Sequence, residues 1–261
     1  MLRLFRRSVE PASAPAEEAP ETRPASIGEN KRVYAIGDIH GRADLLIDLL
    51  RRIDNDDADS IPCPTELILL GDLVDRGPQS RKVVELAMQL SQSSAVHFLK
   101  GNHEEIFIRA ARGEVAATRF FCRIGGQETL HSYGLSQADY AAMKAEHLTS
   151  WMLANIPRAH VDFLDAFSDM VEIGDYIFVH AGIRPGVPLN GQEPHDLRWI
   201  RADFLKSSEA FGKVVIHGHT ITPAVDEHSN RIGIDTGAYM SGRLTAIGLQ
   251  ADQHWFLSTA D

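Results

Sequence analysis

Five short apolar runs each end in a polar segment rich in metal-ligating side chains, and this repeated arrangement constrains the fold more than any other feature of the chain. They are Val33–Ile36 into Gly37-Asp38-Ile39-His40-Gly41, Leu67–Leu70 into Gly71-Asp72-Leu73-Val74-Asp75-Arg76-Gly77, Val96–Leu99 into Gly101-Asn102-His103-Glu104, Tyr176–Val179 into His180-Ala181-Gly182, and Val214–Ile216 into His217-Gly218-His219-Thr220. Runs of this length and composition read as buried strands. In open α/β sheets, ligand sites form beyond the carboxyl ends of the strands, where loops from separate strands converge. The polar side chains are therefore expected to meet, although they are scattered from residue 38 to 219.

Between the runs the period changes. Leu45, Leu46, Leu49, Leu50 and Ile53 fall on one helical face, as do Val83, Val84, Leu86, Ala87 and Leu90, so the first part of the domain reads as βαβ units. Each such helix follows a polar segment directly and can turn its amino end toward a bound anion. Residues 105–172 lose the strand rhythm and read as a helical cap inserted beside the site, with Ser136 as an N-cap and Pro157 opening another helix. An irregular, Gly- and Pro-containing loop over 185–196 precedes Leu197–Leu205 and is placed to shape a substrate groove. Arg231–Asp235, Arg243–Leu249 and His254–Leu257 read as the strands of a closing meander.

Residues 1–30 form a separate segment, dominated from about residue 8 by Pro, Ala, Glu and Ser; it reads as a disordered tail before a domain spanning 31–261. Its first seven residues combine Leu2, Leu4 and Phe5 with Arg3, Arg6 and Arg7 and are read as a frayed terminus rather than a membrane contact. With 26 Lys+Arg against 36 Asp+Glu, the formal charge of -10 disfavours a nucleic acid partner. Two cysteines, Cys63 and Cys122, offer neither a zinc ribbon nor a disulfide framework. No run of apolar residues is long enough to span a bilayer, and no secretory signal is evident, so a cytoplasmic location is expected.

Asp38, His40, Asp72, Asn102, His180 and His219 supply carboxylate, amide oxygen and imidazole with no thiolate, which suits Mn²⁺ first, with Fe or Zn²⁺ as alternatives. Asp72 is placed to bridge two cations. Two divalent ions against the carboxylates Asp38 and Asp72 leave a locally cationic site in an acidic chain, suited to a phosphate ester. A hydroxide held between the cations would then attack phosphorus in line. His103 is the candidate general acid, oriented by Asp75, and Arg76 and Arg201 offer planar forks to phosphate oxygens. Taken singly these residues are weak signals; their joint appearance carries the reading.

The segments GDIHG, GDLVDRG, GNHE, HAG and GHT, in that order, resemble the phosphoprotein phosphatase (PPP) family of serine/threonine phosphatases, in particular its compact bacterial and phage members. The resemblance covers roughly residues 31–250. It implies an α/β metallophosphoesterase fold of two mixed β-sheets flanked by helices. It also implies one metal held by Asp38, His40 and Asp72, a second held by Asp72, Asn102, His180 and His219, and His103 as the acid supported by Asp75. Asp235-Thr236-Gly237-Ala238-Tyr239 resembles the family's late site-proximal loop, which would bring Tyr239 to the pocket. Ile221 stands where nuclease branches of the superfamily carry the last His of GHxH, which favours the phosphatase branch.

These readings lead to a metal-dependent phosphomonoester hydrolase acting on phosphorylated proteins or peptides. The alternative is a dinucleoside polyphosphate hydrolase, which would need a nucleoside pocket in the cap; a non-catalytic phosphate-binding regulator is disfavoured because no ligand is missing. His217 is read as packing or supporting rather than ligating, and His97 as structural. His131, His147, His160, His195, His228 and His254 are read as solvated, and Glu104 as either a support for the site or an early-helix acid.

Overall fold

Val33 and Ala35 point one way and Tyr34 and Ile36 the other, and this period-two alternation explains how a fully buried strand serves two cores at once. The first pair lies in an apolar cluster with Phe178, Ile216 and Ile232; the second joins Leu46, Leu49, Val83 and Val84. The structure, a computed structural model, describes residues 24–260. The expected tail at residues 1–23 lies outside the described residues.

Among the described residues, ten strands form two sheets. In chain order they are β1 (Arg32–Ile36), β2 (Thr65–Leu69), β3 (Val96–Phe98), β4 (Met170–Ile173), β5 (Tyr176–Val179), β6 (Val214–His217), β7 (Asp226–Glu227), β8 (Arg231–Gly233), β9 (Thr245–Gln250) and β10 (Gln253–Ser258). One sheet runs β10-β9-β1-β2-β3 and the other β4-β5-β6-β8-β7. Each contains three mutually parallel strands, β1, β2 and β3 in the first and β5, β6 and β8 in the second, edged by antiparallel neighbours. This is the expected α/β class with two mixed sheets. The five predicted strands are split between the layers, three to one and two to the other.

The inner faces of the sheets bury Val33, Ile68 and Leu70 against Tyr176, Phe178 and Ile216. On the outside of the first sheet lie α1 (Ala43–Asp59) and α2 (Ser80–Leu90), whose buried residues Leu46, Leu49, Ile53, Val83, Val84 and Ala87 are those the helical period marked. Six helices then fill the interval between β3 and β4: α3 (Asn102–Ala111), α4 (Val115–Arg123), α5 (Gly126–Ser132), α6 (Gln137–Ala142), α7 (Ala145–Asn155) and α8 (Arg158–Asp165). The Ser136 side chain accepts the Asp139 N–H at the start of α6, and Pro157 precedes α8. Phe107, Phe121, Leu130, Met152 and Leu164 belong to the same apolar cluster as Tyr34 and Leu69, so these helices share the core of the first sheet. The outer face of the second sheet carries α9 (Pro194–Trp199) and α10 (Ala202–Leu205), packed through Leu197, Ile200 and Phe204 on Ile177, Val179 and Val215.

Two expectations need correction. The closing segments do not form one meander: β9 and β10 pair as a hairpin beside β1, whereas β8 sits in the other sheet, parallel to β6. Local alternation identifies a strand but not its partner, which is decided by non-local burial. Residues 24–30, assigned to the tail, pack on the domain. Ile27 is 1% exposed in the interlayer core, and its N–H donates to Ala251 O (2.8 Å) while the Ser26 N–H donates to Asp175 Oδ2 (2.9 Å). One isoleucine in a polar stretch gives no period to read.

Candidate metal centre

The carboxyl ends of the two sheets abut. The Gly218 N–H donates to His180 O (2.9 Å), and the His219 N–H donates to both oxygens of Asp38 (3.1 Å each). A Cβ at Gly218 would stand 2.0 Å from Asp38 Oδ1, and one at Gly101 2.2 Å from Asp72 Oδ1, so both positions need glycine for close approach. Seven non-glycine residues among those described have positive φ, and five lie here: His40 (44°), Asp72 (50°), Asp75 (72°), Arg76 (67°) and His219 (64°). Each costs about 1–2 kcal/mol for an L residue. The surrounding fold offsets that strain and holds the side chains in place.

The structure brings Asp38, His40, Asp72, Asn102, His180 and His219 into one buried cluster, none more than 6% exposed. Asp72 is at its centre. Its Oδ2 lies 3.5 Å from His40 Nε2 and 3.9 Å from His103 Nε2, and its Oδ1 lies 3.4 Å from His180 Nε2. His180 Nε2 is also 3.0 Å from Asn102 Oδ1 and 3.2 Å from His219 Nδ1.

Hydrogen-bond accounting tests whether these residues fit a metal. His180 Nδ1 must donate to Leu70 O (2.9 Å), and His40 Nδ1 to Val74 O (2.8 Å), because a carbonyl can only accept. Burial holds both imidazoles below their ordinary pKa, so both are neutral and each Nε2 presents a lone pair. The His180 lone pair then faces the acceptors Asn102 Oδ1 and Asp72 Oδ1 as well as His219 Nδ1, whereas that of His40 faces the Asp72 carboxylate with no hydrogen-bond donor. His219 Nε2, like His40 Nε2, is buried without a partner. Lone pairs aimed at carboxylates are repulsive unless a cation lies between them. Two triads, His40-Asp72-His103 and Asp72-His180-His219, have donor atoms close enough to hold an ion, and they share Asp72. The residues fit a two-cation centre.

Beside it, His103 Nδ1 donates to Asp75 Oδ2 (2.6 Å) and its Nε2 is 3.0 Å from Arg76 Nη2. Burial lowers the His103 pKa, but Asp72 and Asp75 outweigh it and hold the imidazole above its ordinary value. Asp75 is fixed in turn: the Thr129 hydroxyl donates to its Oδ1 (2.7 Å), and its N–H donates to Ser80 Oγ (3.0 Å). The Arg76 guanidinium lies over the Tyr239 ring at 4.9 Å, and Tyr239 meets His40 edge-on at 5.4 Å. Arg201 is exposed, yet near enough to the cluster to be among the positive groups that, after burial and the neighbouring His180, depress the His219 imidazole. Ten of the eleven residues singled out from the sequence are thus joined by direct contacts, and the eleventh, Arg201, is near enough to act on His180 and His219 through its charge.

Glu104 resolves as a support for the site: fully buried, it accepts from the N–H groups of Asp72 (2.7 Å), Leu73 (2.7 Å) and Gly101 (2.9 Å). Glu104→Ala strands those donors and is expected to cost about 3 kcal/mol, seen in a melting scan as a fall of roughly 10 °C. Asp235 was missed. It is 1% exposed and pushed up to about 6, by burial first and then by Asp72, and its Oδ2 has no partner. Asp235 also raises the Asp38 pKa, second only to burial. Ile232–Ile234 followed by Asp235 is a sixth instance of the apolar-run-then-ligand pattern, and that signal could have found it. His217 packs its ring on Phe204 (5.1 Å) and its Nδ1 is bound to Gly218 O. His97 lies 2.8 Å from Glu66 Oε2, and His160, expected to be solvated, is instead 8% exposed, with Nδ1 2.9 Å from the Tyr133 hydroxyl.

The profile of the calcineurin-like phosphoesterase family matches residues 31–236. The chain is 26% identical over 238 residues to the asymmetrical bis(5'-nucleosyl)-tetraphosphatase of Bacillus velezensis, an alignment covering 84% of this chain and 88% of that one. Among solved structures, a protein provisionally named a diadenosine tetraphosphatase superposes with a TM-score of 0.60 at 20% identity, covering 88% of this chain and 94% of the other. A cold-active protein tyrosine phosphatase superposes with a TM-score of 0.55 at 18% identity, covering 89% and 81%. At those identities the two structures speak for the fold alone. No helix among the described residues is long and apolar enough to cross a membrane.

Proposed function

The chain belongs to the calcineurin-like phosphoesterase family, and from that premise we propose that it hydrolyses dinucleoside polyphosphates of the diadenosine tetraphosphate type. The observation that carries this reading is the near full-length match to a bis(5'-nucleosyl)-tetraphosphatase, too long to leave out all of the helical segment between β3 and β4. The ranking of substrates drawn from the sequence is thereby reversed: the phosphoprotein substrate becomes the second reading.

Asp38, His40 and Asp72 would hold one cation, and Asp72, Asn102, His180 and His219 the other, with Mn²⁺ favoured by the donor set. When bound, such a pair supplies Lewis acidity toward phosphoryl oxygens and lowers the pKa of water. The chain's own residues do the rest. Val74 O and Leu70 O fix the tautomers of His40 and His180, so that their lone pairs face inward. Arg76 and Arg201 orient phosphate oxygens from two sides. Arg76 lies 3.0 Å from His103 Nε2, the ring nitrogen that does not face Asp75. Asp72 and Asp75 favour a proton on that ring, which suits His103 to protonate the leaving oxygen.

A steady-state comparison in Mn²⁺ tests the proposal. Diadenosine tetraphosphate is expected to exceed phosphoserine and phosphotyrosine peptides in kcat/KM by at least roughly tenfold. A peptide preferred to the dinucleotide would return the chain to the protein phosphatases.

A further inference from the structure

Outside the metal cluster, one cleft of about 340 Å³ is walled by α3, α4 and α9 and lined by Glu105, Phe120, His195 and Trp199. Its size falls in the range of small-molecule sites, roughly 300–1,000 Å³. Each wall leads back to the candidate site. Glu105 follows Asn102 by one turn of α3, a rise of about 4.5 Å. Trp199 ends α9 two residues before Arg201. Phe120 lies on α4, which runs into Gly125, and Gly125 O accepts the Arg76 N–H (3.0 Å). The cleft therefore lies between the two segments that carry the arginines, one helical turn from a metal-ligand position.

Its lining combines three rings with the charged Glu105, Arg109 and Glu114, and the rings are held in place. The Trp199 indole N–H donates to Glu105 Oε2 (3.1 Å), and Arg198, paired with Asp169, also reaches that carboxylate. Phe120 packs against Trp199 with ring centroids 6.0 Å apart, and the exposed His195 lies nearly parallel to the indole at 6.1 Å. Arg123 stands over the other ring, 5.2 Å from the Phe120 centroid. Planar rings immobilised beside a cation are what a stacking platform for a nucleobase requires.

We propose that this cleft receives one purine ring of the dinucleotide, so that Trp199, Phe120 and His195 set the preference for a nucleoside over a bare phosphate chain. The inference rests on the dinucleotide reading above and assigns it a place on the helical insertion. Diadenosine tetraphosphate and inorganic tripolyphosphate offer the same anhydride chemistry with and without a base. In Trp199→Ala and Phe120→Ala, the ratio of their kcat/KM values is expected to fall about tenfold toward tripolyphosphate, the scale of one lost base stack. His195→Ala, at an exposed position that the fold does not need, is expected to move the ratio in the same direction. Adenosine is expected to quench tryptophan emission in wild type and not in Trp199→Phe.

A ratio unchanged in all three alanine variants, in a protein that does cleave diadenosine tetraphosphate, overturns the cleft assignment and leaves the proposed function standing. Equal losses on both substrates in Trp199→Ala and Phe120→Ala, with the His195→Ala ratio unmoved, also overturn it, because they mark a structural role. A wild-type protein that cleaves phosphopeptides and tripolyphosphate but not the dinucleotide overturns the proposed function and the cleft together.

Discussion

Asp72→Asn is expected to abolish metal-dependent hydrolysis while raising the melting temperature of the metal-free protein. Asp72 is 2% exposed and faces the His40 and His180 lone pairs at 3.5 and 3.4 Å. Without a cation those contacts are repulsive. An asparagine amide removes the buried charge and donates to one of those nitrogens, a change worth about 1–3 kcal/mol in the metal-free state and a few degrees in a domain of this size. With a cation the sign inverts. Saturating Mn²⁺ at about a hundredfold over Kd stabilises the wild type by about 2.7 kcal/mol per site, and the variant loses most of that gain. Activity should fall by more than about a hundredfold, since removing groups one layer further from a metal already costs 10–100-fold. Differential scanning calorimetry with EDTA or Mn²⁺ reads both arms. An equal Mn²⁺ shift in both proteins would remove Asp72 from the metal centre.

His103→Ala should show an effect that depends on the leaving group. His103 donates to Asp75 through Nδ1, which leaves Nε2 as the only ring nitrogen that can deliver a proton. An alkoxide leaving from a phosphoserine peptide needs that proton, and general acid catalysis is worth about 10²–10⁴ in rate. A nitrophenolate or a nucleoside polyphosphate departs largely without one. The variant is therefore expected to lose most on alkyl phosphates, about 10³-fold, and least on p-nitrophenyl phosphate and diadenosine tetraphosphate, about 10-fold. Equal losses on every leaving group would mean that His103 acts by positioning phosphate rather than by donating a proton. The same series bears on substrate, because a site whose natural leaving group is a phosphate can spare the acid.

The candidate cluster was legible because most of its residues sit at the end of a local pattern that a single strand announces. Asp38, Asp72, Asn102, His180 and His219 follow β1, β2, β3, β5 and β6 within a few residues, and parallel pairing carries those ends to one side of each sheet. What stayed hidden depended on contacts distant in sequence. β8 pairs with β6 rather than with β9; Ile27 is buried only because both sheets close over it; His160 is sheltered by Tyr133. Glu104 could not be decided from sequence, because an acid in the first turn of a helix is also favoured by the dipole alone. Asp235 carried the right signal but stood in a loop quoted for Tyr239. The substrate was read as a phosphoprotein because the five motifs describe only the phosphoryl-transfer chemistry, and none of them lies in the helices between α3 and β4.

The division of the ligands between two sheets has a mechanical consequence. Asp38, Asp72 and Asn102 belong to one layer, His180 and His219 to the other, and the cations would rivet the two together at a single end of the sandwich. A shear between the layers too small to unfold anything would still pull the rivet apart. Shrinking a side chain in the middle of the sandwich, such as Phe178 or Ile68, should therefore announce itself first as weakened ion retention and only later as a loss of fold.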